Sequence, residues 1–430
     1  MDRVIKKAQT IKGEIIPPPD KSISHRAIMF ASLAKGKSRI RNFLWAKDPI
    51  SSLNSMKSLS VEIEITESKE IIVNGKGLSS LKEPDNVIDC GNSGTTMRLL
   101  SGILSAQPFL SILTGDDSLR YRPMRRIIKP LSLMGANIIA RDDNKFPPIV
   151  IKGGPLRGIN YVMPVASAQV KSAILLAGLY AKEETTVKEP YKSRDHTEKM
   201  LKNMGAHIEI NDNTIKLIPK KYELNPLDIT IPNDFSSACF FIAATCLVPK
   251  SELIIKQVNL NETRTGLLDT LKLMGATIEI FNLNEQAGEP VGDIFVKSSS
   301  ELKGVTVQGD IIPRLIDEFP ILCVLATQAE GKTVIKDAKE LRAKESDRIK
   351  TMTLELKKMG VKIEEFEDGV EIEGPCKLIG TDVHSYKDHR IAMALSIAGL
   401  IAEGETKIKD SECVDISFPQ FYELLEILQR

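Results

Sequence analysis

A ten-residue phrase recurs along this chain and limits the architectures open to it. At 271–280 it reads Leu-Lys-Leu-Met-Gly-Ala-Thr-Ile-Glu-Ile. Close copies stand at 131–140, 201–210 and 356–365, with a degraded fifth at 56–65. Leu and Met pack one face of a helix, Gly takes the left-handed position past its end, and alternating Ile enters a half-buried strand. Copies spaced by about 70–85 residues indicate a small βα subdomain rather than a solenoid repeat.

A second phrase alternates with the first: a polar opening, a helix of small apolar residues, a short turn and a strand. The openings are Asp20-Lys21-Ser22, Gly91-Asn92-Ser93-Gly94, Ala166-Ser167-Ala168-Gln169, Asn233-Asp234-Phe235-Ser236, Asp317-Glu318-Phe319-Pro320 and Asp388-His389-Arg390. Ser, Asp and Asn favour helix N-caps because a short side-chain oxygen reaches an unsatisfied backbone N–H. The strand after the turn recurs at 185–188, 332–335 and 405–408. Six openings face only five helix–strand phrases, because the chain ends inside the sixth helix, at 421–430. The N-terminus, where 3–7 and 10–16 read as short strands, is the available source of the missing strand. Residues 1–20 are therefore expected to join 231–430 as one domain of three units. Residues 21–230 form the other, inserted between them. Crossings near Pro17-Pro18-Pro19 and Thr230-Ile231-Pro232 would make a double hinge, a natural route to closure on substrate.

At 430 residues the chain is long enough for two or three cores. With 58 basic and 57 acidic residues its net charge is +1, so any anion site is a local cluster. That balance argues against a nucleic-acid partner. The longest apolar runs, such as 174–180 and 238–248, fall short of the roughly 20 residues needed to span a bilayer. The first residues lack the apolar core of a signal peptide. Six cysteines show no CxxC pair and no metal spacing, as expected for reduced thiols of a cytoplasmic protein.

Each helix opening carries unsatisfied N–H groups and roughly half a positive charge, so several aimed at one place bind anions without net protein charge. The side chains fit that use. Lys21, Ser22 and Arg26 lie on the first turns of one helix. Asn92, Ser93, Gly94, Thr95 and Thr96 form another opening, with Arg98 just beyond, and Gly94 has no Cβ to hold an anion off. Arg120, Arg122, Arg125 and Arg126 crowd one loop. Arg342, Lys344 and Arg348 crowd a second, with Glu345 among them. Bland alternatives stand beside each: polar caps at Asp317 and Asp388, a solvated helix face for 342–348, structural roles for His196 and His389. Recurrence favours function, since a cap needs one oxygen and five of the six openings carry more.

Four stretches then carry a resemblance. Pro19-Asp20-Lys21-Ser22-Ile23-Ser24-His25-Arg26, 91–100, 341–349 and 388–393 resemble, in order along essentially the whole chain, the signatures of the 5-enolpyruvylshikimate-3-phosphate synthases. The resemblance implies an α/β (α+β) inside-out barrel fold of two domains. Each would be a trio of βαβαββ subdomains with helices inward and sheets outward, and the active site would lie in the interdomain cleft. It implies transfer of the enolpyruvyl group of phosphoenolpyruvate to the 5-hydroxyl of shikimate 3-phosphate through a tetrahedral intermediate. Shikimate 3-phosphate would be held by Lys21, Ser22, Arg26, Ser167, Ala168, Gln169, Arg194, Asp317 and Lys344. Phosphoenolpyruvate would be held by Lys21, Asn92, Gly94, Arg122, Gln169, Arg348 and Arg390. Asp317, Glu345 and Lys21 would carry the protons, with the division between Lys21 and Asp317 open. No metal or organic cofactor is implied, and no nucleic-acid or membrane partner.

Stretches 167–171, 194–198 and 261–264 are similar to the second class of these synthases, often less sensitive to glyphosate, although Gly94 leaves the inhibitor's place open. Ile416 stands where first-class members carry a phosphate-contacting Lys. The rival enzyme, which transfers enolpyruvyl to UDP-N-acetylglucosamine, uses a loop Cys that 116–123 lacks. A non-catalytic phosphate or nucleic-acid binding module is disfavoured by the charge balance and by 5% aromatic content. A monomer is expected, because the apolar faces are used within the six units.

Overall fold

Short polar side chains start four of the six expected helices. Asp20 Oδ1 accepts from the Ile23 N–H at 2.9 Å, Ser93 Oγ from Thr96 at 3.1 Å, Asp234 Oδ1 from Ser237 at 2.9 Å and Asp388 Oδ1 from Arg390 at 2.9 Å. The helices they open are Lys21–Leu33, Gly94–Leu104, Phe235–Leu247 and His389–Gly399. The other two, Ala168–Gly178 and Phe319–Ala326, begin at Ser167 and Glu318 without a side-chain cap. Asp317 therefore stands one residue ahead of the cap position. The computed structural model describes residues 2–219, 223–299 and 301–429, so Arg430, the end of the expected last helix, lies outside the described residues.

These six helices are buried almost all round, as helices without a polar face must be. Every residue of Phe319–Ala326 and of His389–Gly399 is buried, and so is every residue from Phe235 to Cys246. The second helices of the units are amphipathic and end as the repeated phrase requires. Gly135, Gly205, Gly275 and Gly360 have φ of 101°, 91°, 89° and 91°, where a side chain would be strained. In the degraded copy Ser60 takes the same position at φ 65°.

Among the described residues the strands assemble into six sheets, five of four strands and one of three. One shows the common pattern: Ile88–Asp89 runs parallel to Leu110–Thr114, which pairs antiparallel with Phe146–Lys152, which pairs antiparallel with Asn137–Ala140. Three sheets take a strand from far along the chain. Asp228–Thr230 runs parallel to Lys35–Arg41. Lys12–Ile15 runs parallel to Glu252–Asn259. In the three-stranded sheet, Arg3–Lys6 pairs antiparallel with Glu405–Lys409, from Arg3 opposite Ile408 to Lys6 opposite Glu405. The N-terminus thus supplies the strand missing from the sixth unit, and its second strand goes to the fourth.

Two compact units result. The first comprises residues up to Pro18, Asn233–Asn284 and Pro290 onward; the second comprises Pro19–Pro232 and Glu285–Glu289. Each has its own apolar core. The expected boundaries shift slightly. Residues 19, 20, 231 and 232 go with the second unit, where the Asp20 N–H donates to the Pro232 carbonyl at 2.8 Å. In the first unit the Asp234 N–H donates to the Pro18 carbonyl at 2.7 Å. Residues 285–289, expected in the first domain, go with the second because Glu289 pairs with His196 there, at 2.7 Å. All six cysteines are free, and no described helix is long and apolar enough to cross a membrane.

Candidate functional site

In the second unit the expected residues fall on neighbouring helix starts and on one loop. Lys21, the first residue of its helix, sends Nζ to Asp48 Oδ2 at 3.2 Å, and both side chains are mostly buried. Arg26, one turn further on, is buried and well braced. Nε donates to Thr197 Oγ1 at 2.8 Å, one terminal nitrogen to the Ser22 carbonyl at 2.9 Å and the other to Ser172 Oγ at 3.0 Å. Just before Arg26, His25 is fully buried, its Nδ1 2.6 Å from Ser52 Oγ, and Ser52 continues to Thr96 Oγ1 at 2.8 Å. These bonds tie the Lys21 helix to the opening at Ser93.

That opening holds a connected set. Arg122 donates to the Asn92 carbonyl at 3.0 Å, to Asn92 Oδ1 at 2.6 Å and to Ser118 Oγ at 3.1 Å. Asn92 Nδ2 donates to Asp116 Oδ2 at 2.7 Å. Arg98 donates to Gln169 Oε1, and Gln169 Nε2 to Thr95 Oγ1 at 2.9 Å. Gly94 lies against both guanidinium groups: a Cβ there would sit 2.8 Å from one terminal nitrogen of Arg98 and 3.5 Å from one of Arg122. The basic loop divides cleanly. Arg122 is buried, whereas Arg120 is half-buried and Arg125 exposed, and these two are paired with Asp117 and Asp143.

Ser167, Ala168 and Gln169 are half-buried at the start of their helix, and Arg194 is half-buried on the loop before His196–Asn203. Beneath them Lys171 is 1% exposed and ion-paired with Glu189 at 2.8 Å and Glu198 at 2.7 Å, each also 1% exposed. Burial works to lower the Lys171 pKa, but Glu198 and Glu189 outweigh it and hold the ammonium above its ordinary value. Burial pushes the Glu198 carboxyl up, against the pull of Lys171.

In the first unit five expected residues gather. Arg348, 1% exposed, meets three carboxylates: Asp388 Oδ2 at 2.9 Å, Glu345 Oε2 at 2.6 Å and Asp317 Oδ1 at 3.2 Å. Burial opposes its charge, yet those three anions raise its pKa far above an already high value. Asp317 also faces Lys344 at 3.7 Å and Arg390 at 3.6 Å, and its carbonyl accepts from Arg390 at 3.1 Å. Burial, helped by Arg348, holds Lys344 below the usual lysine range despite Asp317. The two acids that sequence left as candidate caps separate here. Asp388 caps its helix and clamps Arg348, while the Asp317 carboxylate faces three cations. The charge run divides too, because Arg342 is spent on Asp347 and Glu365, both at 2.9 Å. Ile416, in place of a cation, is partly buried against the first unit's apolar core.

Asp195, His196 and Glu289 offer ligand atoms within 4.8 Å of one another, a spacing compatible with a metal ion. A cation already answers that charge: Lys199 Nζ lies 3.3 Å from Glu289 Oε2 and 3.6 Å from Asp195 Oδ1.

Asp48, Arg98, Thr197 and Asp388 bond to expected residues although sequence assigned none of the four to a substrate. Arg98 had a signal, one helical turn from Gly94, and Thr197 sat inside a quoted motif. Nothing local marks Asp48, which reaches Lys21 from another helix.

Residues 5–425 match the family described as EPSP synthase (3-phosphoshikimate 1-carboxyvinyltransferase). The chain is 81% identical over 430 residues to the 3-phosphoshikimate 1-carboxyvinyltransferase of Thermodesulfovibrio yellowstonii, with 100% of both chains covered. It is 54% identical over 428 residues to the enzyme of the same name from a Thermoanaerobacter species, again covering 100% of each. A solved EPSP synthase from Acinetobacter baumannii superposes with a TM-score of 0.87 at 44% identity, over 99% of this chain and 98% of that one.

Proposed function

The chain belongs to the EPSP synthase family, and from its two residue clusters we propose how it carries out the reaction. It is a transferase that moves the enolpyruvyl group of phosphoenolpyruvate to the 5-hydroxyl of shikimate 3-phosphate and releases phosphate, a step of aromatic amino-acid biosynthesis. The hydroxyl attacks C2 while C3 gains a proton. The tetrahedral intermediate then loses phosphate from C2 and a proton from C3.

Two phosphates and two carboxylates need several braced cations and an acid–base pair. In this assignment shikimate 3-phosphate lies on Lys21, Ser22, Arg26, the Ser167–Gln169 helix start and Arg194, with Asp317 and Lys344 completing its hold. Phosphoenolpyruvate lies on Lys21, Asn92, Gly94, Arg122, Gln169, Arg348 and Arg390. Arg122 and Arg348 suit anion capture because protein contacts already fix their guanidinium groups, so little freedom is lost on binding. Asp317 takes the proton of the 5-hydroxyl, and Glu345 exchanges the C3 proton with Lys21 as partner. The observation that carries this assignment is Asp317 itself, which lies within 3.7 Å of Lys344, Arg348 and Arg390. A lysine at reduced pKa beside it also suits proton exchange.

We place the working enzyme in the cytoplasm as a monomer, since each unit absorbs its own apolar helix faces. The decisive assay is phosphate release from phosphoenolpyruvate by the purified chain. Release should require shikimate 3-phosphate and should not appear with UDP-N-acetylglucosamine. Release driven by the sugar nucleotide instead would sink the assignment.

A further inference from the structure

Among the bonds described, the charged groups of Lys171, Glu189 and Glu198 meet none of the side chains assigned to substrate, yet they bury three ions together. Such clusters are often replaceable by apolar side chains without loss of stability, so stability alone is a weak reason to keep one. Their placement supplies a better one. Lys171 lies on the helix that begins with Ala168 and Gln169. Glu189 is the first residue after the strand Thr185–Lys188, and Glu198 sits in the first turn of His196–Asn203. The ammonium thus grips both ends of the segment that carries Arg194. It also donates to the Ser193 carbonyl at 3.2 Å, next to Arg194 in the chain, and Ser193 Oγ donates back to Glu189. Beside Lys171, Ser172 Oγ lies 2.6 Å from Thr197 Oγ1, the group that accepts from Arg26 Nε. One buried cation therefore sets the register of a helix start and of the loop opposite it. The Asn92–Asp116–Arg122 set hangs on a different loop and has no bond to this cluster among those described.

We propose that the buried Lys171–Glu189–Glu198 cluster is a positioning device for shikimate 3-phosphate, holding Arg194 and the Ser167–Gln169 helix start at the spacing the substrate needs. This rests on the assignment of Arg194 to that substrate. Loss of the cluster loosens the hold on shikimate 3-phosphate; phosphoenolpyruvate shares only Gln169 with this helix start, and Arg98 and Thr95 hold that side chain independently.

The test uses Lys171→Met and Glu189→Gln. The second keeps volume and an acceptor for Ser193, so a folded variant remains if the first does not fold. Both should raise KM for shikimate 3-phosphate roughly 10- to 100-fold, the worth of one charge-assisted hydrogen bond, and leave KM for phosphoenolpyruvate within about 2-fold. Amide exchange in 189–198 should quicken in both. In an Arg194→Ala background, removing Lys171 or the Glu189 charge should add little further loss, because the two act in series. Unchanged exchange at 189–198, a parallel rise of both KM values, or full additivity with Arg194→Ala would overturn the proposal. If instead Arg194→Ala alone leaves shikimate 3-phosphate binding intact while exchange quickens in the cluster variants, the fault lies with the assignment of Arg194. The positioning of the loop by Lys171 would then stand without its substrate.

Discussion

Gly94→Ala should separate affinity for one substrate from stability. An added Cβ would meet a terminal nitrogen of Arg98 at 2.8 Å, against an ordinary contact beginning at 3.4 Å. That shortfall of about 0.6 Å falls on the end of a flexible side chain, so the guanidinium moves and the backbone stays. Movement costs Arg98 its bond to Gln169, and Gln169 is in turn bonded to Thr95 beside Gly94. The new methyl also stands 3.5 Å from Arg122, in the space an anion would use. A displacement near half an ångström at a positioning group costs less than the roughly 10²-fold attached to a full 1 Å, so KM for phosphoenolpyruvate should rise about 10-fold. The helix itself gains from Ala over Gly, by at most about 1 kcal/mol, so urea midpoints should not fall. Steady-state kinetics with each substrate varied in turn, beside urea unfolding, decides the matter. An unchanged KM for phosphoenolpyruvate, or an equal rise for shikimate 3-phosphate, would refute the reasoning.

Arg122→Ala removes the guanidinium bonded to Asn92 and Ser118. It should weaken phosphoenolpyruvate binding about 10- to 100-fold and shikimate 3-phosphate binding far less, and equal losses in titration calorimetry contradict its assignment. Glu345→Gln, which keeps an acceptor for Arg348, should lower turnover about 10²- to 10⁴-fold if the carboxylate moves protons; a fully active variant takes it out of the mechanism. His25 is held well below its ordinary 6.5 first by burial, then by Lys21 and Arg26. Below about pH 6.5 the unfolded chain therefore binds a proton that the folded one refuses. Stability from this residue is full above that pH and falls on acidification by up to about 1.4 kcal/mol per unit. His25→Gln should flatten that part of the slope in urea midpoints measured at about pH 7.5 and 5.5; an identical slope excludes His25 as the cause.

Much of this molecule was legible because its signals are local. A helix end followed by a left-handed Gly and alternating Ile is a matter of neighbours, and φ at Gly135, Gly205, Gly275 and Gly360 follows from it. Counting six openings against five phrases called for a strand from the N-terminus, and Arg3–Lys6 fills that place beside Glu405–Lys409. The roles of charged side chains were not legible in the same way, because an ion's partner is chosen in space. Arg342 and Arg348 share one run, yet Arg342 is spent on Asp347 and Glu365 while Arg348 is buried among Asp317, Glu345 and Asp388. Asp317 and Asp388 both precede helices, and only the packing shows that Asp388 is an N-cap while Glu318, not Asp317, holds that position on the other helix. Lys21 finds Asp48 on a neighbouring helix, and Lys171 finds Glu189 and Glu198 across a loop. Backbone conformation is decided mainly by side chains a few positions away, so the chain announces it. Coulomb pairing and burial are decided by whatever the fold brings within a few ångströms, and that is settled when the helices close on one another.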